Sequence, residues 1–127
     1  MASVCVLGQG KTLLSKRDKV FALELAVRFV VYTKYIEDAE KVQASRPQHR
    51  AYAMSMVTAG KLILAGPFTD GYGALFIYDA ESEQETRQYV EADPFFKSAV
   101  FMSVEIRPWK MLGTNVEKLS VPEPIWS

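Results

Sequence analysis

The chain has 127 residues, which is enough for one domain with a single hydrophobic core. Its 15 basic and 15 acidic side chains cancel, so it lacks the positive surplus with which proteins bind nucleic acids. Its longest apolar stretch is interrupted by Glu24 and Arg28, so no segment is predicted to span a bilayer. We therefore expect neither a nucleic acid nor a membrane as a partner.

Cysteine and histidine each occur once, as Cys5 and His49. A single cysteine cannot form an internal disulfide, which indicates a reducing compartment, either the cytoplasm or an organelle. One cysteine and one histidine also argue against a zinc or iron site. We expect the protein to need neither a metal nor another cofactor.

Residues 1–26 show no clear periodicity. Gly8-Gln9-Gly10-Lys11-Thr12 looks like the end of a phosphate-binding loop, but Cys5 stands where that motif needs its first glycine. We therefore reject nucleotide binding. Several basic side chains leave a targeting peptide as an alternative. We favour an N-terminal arm that lies on a partner subunit.

The next elements are a strand over residues 26–35 and a helix over residues 38–60. The strand is rich in β-branched and aromatic residues, and Gly60 is predicted to cap the helix. Pro47 falls inside the helical pattern, where proline removes a backbone hydrogen bond. The helix is expected either to be kinked there or to begin near Arg46.

A hairpin and a second helix follow. Short apolar strands over residues 61–66 and 74–78 flank a turn that contains proline, Asp-Gly and a further glycine. Ser82 and Glu85 form a capping-box pattern that predicts a helix to about Ala92. Alternating residues predict a last strand from Val100, which Pro108 should end.

This order of elements, β-α-β-β-α-β, predicts an α+β fold of the ferredoxin-like type, with two helices on one face of an antiparallel sheet. Several strands are apolar on both sides, as in a sheet that is buried on both faces. The second face also needs a cover, and one small domain has no elements left for it except its two tails. We expect a second copy to cover it, so that the protein is a homodimer or a larger homo-oligomer.

Three motifs resemble those of a known family. Arg46-Pro47-Gln48-His49 resembles an "RPxH" element, residues 60–67 resemble a "GxLLxAGP" strand, and Ala92-Asp93-Pro94-Phe95 resembles an "ADP(Y/F)" element. The family is that of the YciI-like (YCII-related) proteins, similar to the muconolactone isomerases of the dimeric α+β barrel superfamily. The resemblance places the domain at residues 27–112 and leaves residues 113–127 as a C-terminal tail.

The resemblance implies an active-site pair formed by His49 and Asp93. Helical spacing alone already turns His49 toward the apolar interior, since Tyr52, Ala53 and Met56 follow on the same face. A neutral imidazole can accept a proton near pH 7, and a carboxylate can fix its tautomer. Asp93 stands before a proline, so it is equally suited to cap a helix.

The remaining candidates concern the substrate. Arg46 has a fork that suits a carboxylate, although a solvated arginine or a surface ion pair fits the sequence as well. Four further residues are candidates for lining the substrate pocket: Ser45, Gly66, Pro67 and Phe95.

Three functions stay open. The first is a small cofactor-free enzyme that transfers a proton on a small unsaturated carbonyl compound or lactone, by isomerisation or by an elimination such as dehydrohalogenation. The second is a non-catalytic ligand-binding or accessory protein on the same scaffold. A cofactor-independent monooxygenase is the third. The reaction class follows from the resemblance.

Overall fold

A computed structural model describes residues 28–121 of the chain. The predicted N-terminal arm, residues 1–26, and the end of the tail lie outside the described residues. The elements are the strands β1 (Arg28–Tyr35), β2 (Leu62–Pro67), β3 (Gly73–Asp79) and β4 (Phe101–Trp109), and the helices α1 (Ala39–Thr58), α2 (Glu83–Glu91) and α3 (Pro94–Lys97). All strand pairs are antiparallel, in the order β2-β3-β1-β4. The predicted ferredoxin-like α+β fold is confirmed.

The α1 helix is continuous through Pro47, so of the two predicted alternatives the one in which it begins near Arg46 was wrong. It begins instead after Asp38, whose side chain accepts a hydrogen bond from the Lys41 backbone at 3.1 Å. Pro47 and Gln43 are both exposed, so water can satisfy the Gln43 carbonyl that Pro47 leaves without a donor. The helix ends at Thr58 with Ala59 as its C-cap, and Gly60, the glycine predicted to close it, follows with a φ of +78°.

The hairpin and the second helix also form as predicted. In the turn, the Tyr72 backbone donates to Asp70 at 2.9 Å, which shows that Asp70 serves the turn. Ser82 caps α2 by accepting from the Glu85 backbone at 3.0 Å. In a capping box, the Glu85 side chain would accept from the Ser82 backbone N–H. Here it accepts from the Glu81 backbone N–H, one residue earlier.

Pro108 does not end the last strand, because β4 runs to Trp109. The prediction failed because it applied a rule for central strands. Within residues 28–121, β4 is an edge strand that pairs with β1 alone, and a residue without an N–H group is tolerated at an edge.

The core lies between one face of the sheet and the helices. Alternate residues of β1, which are Phe29, Val31, Thr33 and Tyr35, are buried on this face. They pack with Phe76 of β3 and with apolar residues of α1 and α2. None of the helices within residues 28–121 combines the length and apolarity needed to cross a membrane.

Candidate functional site

The fold brings His49 and Asp93 into contact, although 44 residues separate them in the chain. Nδ1 of His49 lies 2.8 Å from one oxygen of Asp93 and 3.0 Å from the other. Both residues are buried. An ionised carboxylate only accepts hydrogen bonds, so Nδ1–H donates and the neutral ring carries its lone pair on Nε2.

The carboxylate of Asp93 is held by the start of α3. Asp93 is the N-cap of this one-turn helix, and Pro94 takes the first helical position. The same oxygen that meets His49 accepts from the Phe95 backbone N–H at 2.8 Å. The capping role and the partnership with His49 are therefore combined in one side chain.

Aromatic rings fix the plane of the His49 imidazole. The ring stacks on Phe95, with centroids 3.9 Å apart and an angle of 6° between the planes. Phe76 presents its ring at 85°, with a centroid distance of 6.0 Å. The imidazole is thus restrained by Asp93 and by these rings, which leaves Nε2 as the nitrogen that can meet a ligand.

His49 lines a cavity of about 570 Å³. This volume suits a small organic molecule. Of the predicted pocket residues, Arg46, Gly66, Pro67 and Phe95 line the cavity with His49. Ser45 is buried on α1 and is not among the lining residues, and Asp93 lies behind the imidazole. The remaining lining residues are Tyr35, Arg50, Ala53, Val57, Ile63, Leu64, Ala65, Phe76, Leu119 and Val121.

Few of the side chains that line the cavity are polar, and they differ in charge and in hydrogen bonding. Nε of Arg46 is buried and has no hydrogen-bond partner among the described residues. Burial raises the pKa of the Tyr35 phenol to about 12, against the opposing effect of the Arg46 charge. The cavity therefore offers an imidazole, the two guanidinium groups of Arg46 and Arg50, and a neutral phenol within largely apolar walls.

Among the lining residues that sequence reasoning missed are Tyr35, Arg50, Phe76, Leu119 and Val121. Tyr35 was within reach of that reasoning, because the period of two along β1 places it on the face of Val31 and Thr33. Leu119 and Val121 carried no such signal, since the tail has no periodic pattern. Within residues 28–121, no group of three or more histidine, cysteine, aspartate or glutamate side chains is placed to hold a metal ion.

The fold and the site define a small α+β protein with a buried His-Asp pair at the wall of a mainly apolar cavity. A family profile described as the YCII-related domain matches residues 27–110, and the chain belongs to this family. Protein YciI of Escherichia coli O6:H1 is 28% identical over 93 residues, which cover 65% of this chain and 95% of that protein. Protein YciI of Shigella flexneri matches to the same extent.

A solved structure is similar as well. It is that of 5-chloro-2-hydroxyhydroquinone dehydrochlorinase (TftG) from Burkholderia phenoliruptrix AC1100, in complex with 2,5-dihydroxybenzoquinone. The sequences are 27% identical and the TM-score is 0.59. The match covers 65% of this chain and 93% of the other.

Proposed function

We propose that the protein is a cofactor-free enzyme that uses His49 and Asp93 to transfer a proton on a small unsaturated carbonyl compound, by elimination or isomerisation. The observation that carries the proposal is the hydrogen bond from His49 Nδ1 to the buried Asp93 carboxylate at the wall of a cavity. A satisfied structural histidine needs no cavity beside it. The dehydrochlorinase with a similar structure supports this class of reaction.

In the proposed reaction, Nε2 of His49 takes a proton from a hydroxyl group or an acidic carbon of the substrate. The electron pair that is released forms a new π bond. In an elimination, chloride departs with its bonding pair from a saturated carbon conjugated to the new π bond. In 5-chloro-2-hydroxyhydroquinone a hydroxyl proton first moves to the carbon that bears chlorine, which makes that carbon saturated, and a second hydroxyl proton and chloride are then lost. In an isomerisation the proton returns to another carbon. Asp93 stabilises the imidazolium that forms, without itself taking the proton.

Arg46 is the proposed binding group for an anionic oxygen of the substrate. A buried guanidinium nitrogen without a partner is costly, and a charged oxygen in the cavity would supply the missing acceptor. Gly66, Pro67 and Phe95 shape the adjoining walls in this proposal. A flat, oxygenated ring such as 2,5-dihydroxybenzoquinone fits both this polarity and the size of the cavity.

The test measures chloride release from 5-chloro-2-hydroxyhydroquinone by the full chain and two variants. His49→Gln should lower turnover about 100- to 10,000-fold, the range that a general base contributes. Asp93→Asn keeps an oxygen that can cap α3, so it should fold while losing the correct tautomer and most of the turnover.

Binding of 2,5-dihydroxybenzoquinone, followed by its absorbance, separates the alternatives. Binding without chloride release would favour the second function, a non-catalytic ligand-binding protein. Turnover that survives His49→Gln would reject the catalytic assignment. Circular dichroism of each variant controls for folding.

A further inference from the structure

The chain continues past its family domain into the wall of the cavity. The matched domain ends at residue 110, whereas Leu119 and Val121 line the cavity together with His49. We call residues 111–121 the C-terminal strap. Its only regular element is a 3₁₀ turn over Val116–Lys118, which Asn115 caps by accepting from the Glu117 backbone at 3.1 Å.

The path of the strap shows that its contact with the cavity is not a consequence of sequence proximity. The strap leaves β4 at one edge of the sheet, while residues of β2, at the opposite edge, form another wall of the same cavity. The two edges are three strand spacings apart, or about 14 Å. The ten residue-to-residue steps from Trp109 to Leu119 can span about 33 Å when extended, so the strap is long enough to cross.

Leu119 and Val121 are less exposed than Leu112 and Val116, two apolar residues between β4 and the end of the 3₁₀ turn. Leu119 is 45% exposed and Val121 is 62% exposed, whereas Leu112 is 88% exposed. Met111, at the start of the strap, is partly buried. The 3₁₀ turn ends at Leu119, whose backbone N–H donates to the Val116 carbonyl at 3.2 Å. The turn thus directs Leu119 to the cavity, while Leu112 and Val116 stay outside it.

We propose that Leu119 and Val121 are specificity-determining residues, and that the strap is a wall of this chain's own that limits water access to His49 and the size of the ligand. The side chains are apolar and only partly buried, so they select for an apolar ring edge that covers them. The part that concerns ligand size rests on the proposed function. The part that concerns access to His49 does not.

Access is measured by carbethoxylation of the imidazole with diethyl pyrocarbonate, followed at 240 nm. His49 is the sole histidine of the full chain, so the signal comes from one site. The double variant Leu119→Ala/Val121→Ala should react several-fold faster than the wild type. The matched control, Leu112→Ala/Val116→Ala, removes the same types of side chain from the same strap outside the cavity and should react at the wild-type rate.

An equal rate in the wild type and in Leu119→Ala/Val121→Ala, with both proteins folded by circular dichroism, would overturn the proposal. An equal acceleration in the control variant would also overturn it, because the effect would then reflect a general loosening of the strap. Leu119→Trp enlarges the wall and should slow the reaction below the wild-type rate.

Ligand size is tested with 2,5-dihydroxybenzoquinone and its bulkier dichloro derivative, chloranilic acid. In Leu119→Ala the dissociation constant of chloranilic acid should fall relative to that of 2,5-dihydroxybenzoquinone. In Leu112→Ala the ratio of the two constants should stay unchanged. An unchanged ratio in Leu119→Ala would refute the specificity role. If neither compound binds the wild type, the proposed substrate class fails, while the carbethoxylation rates still decide whether the strap covers His49.

Discussion

Asp93 serves two neighbours at once, and this explains why one residue type is needed there. Its carboxylate accepts from the Phe95 backbone and from Nδ1 of His49. A serine could cap α3, but it would not present a full negative charge to the imidazole. The start of a short helix therefore fixes the orientation of a side chain on α1.

The state of Tyr35 leads to a prediction about alkaline pH. Burial raises the pKa of Tyr35 to about 12, with Arg46 lowering it and Asp93 raising it further. The folded protein thus holds the phenol proton more tightly than the unfolded chain, in which the phenol titrates near 10. The stabilisation is complete below pH 10 and is lost as the pH rises from about 10 toward 12.

We expect the free energy of unfolding to fall less steeply with rising pH in Tyr35→Phe than in the wild type between about pH 10 and 12. Tyr52 and Tyr78, whose pKa values are also raised by burial, remain in both proteins, so the difference isolates Tyr35. Urea unfolding at pH 9, 10 and 11 measures the effect. Parallel loss of stability in both proteins would contradict the assignment.

At the scale of single residues, helical spacing could predict that His49 points toward the interior, but it could not predict that Asp93 is its partner. Helical spacing relates His49 to residues a few positions away, whereas Asp93 is reached only through the complete fold. The family motifs predicted the pair, and the geometry brings the two side chains together. Arg46 is different, because spacing could not show that its Nε would be buried without a partner.

Rules that use only neighbouring residues predicted most helices and strands. They failed where the position of a residue in the fold changes the free-energy cost of placing that residue there. The hairpin and the helix ends have their own turn and cap residues, so short windows suffice to identify them. Pro47 and Pro108 were judged as breakers, but one lies on a solvated helix face and the other in an edge strand. The contact of the strap with the cavity could not be predicted, because the tail has no periodic pattern and the other lining residues are distant in sequence.

Gly73 marks the point where β3 begins its pairing with β1, and it gives a prediction for the sheet. A Cβ added there would collide with the backbone carbonyl oxygen of Thr33 and crowd the ring of Phe68. Backbone cannot move away as a flexible side chain can. We expect Gly73→Ala to lower the free energy of unfolding by about 1–3 kcal/mol, the usual range for overpacking.

The matched control is Gly66→Ala in β2, because an added Cβ at Gly66 meets no atom within 4 Å. Its stability should stay close to that of the wild type. Chemical denaturation of the two variants measures the difference directly. Equal stability of Gly73→Ala and Gly66→Ala would show that β3 can shift away from β1 at little cost.

On the scale of the whole molecule, the face of the sheet opposite the helices carries exposed apolar side chains beside charged ones such as Lys34 and Glu105. Strand register places Tyr32, Leu75 and, further along, Trp109 on this face, and all three are exposed. Tyr32 alone leaves 41% of its surface accessible. Aromatic and aliphatic side chains that adjoin in this way are typical of a surface that binds another protein.

We propose that a second copy of the chain covers this face, so that the protein is a homodimer that buries it through a twofold contact. Light scattering should give a mass of twice 14.3 kDa for the wild type. Leu75→Glu places a charge in the contact and should yield a monomer, because an unpaired buried charge is strongly disfavoured. Met54→Glu is the control: Met54 is an exposed apolar residue of α1, away from this face, and its variant should remain dimeric. A monomeric wild type, or a Leu75→Glu variant that stays dimeric, would mean that this face has another role.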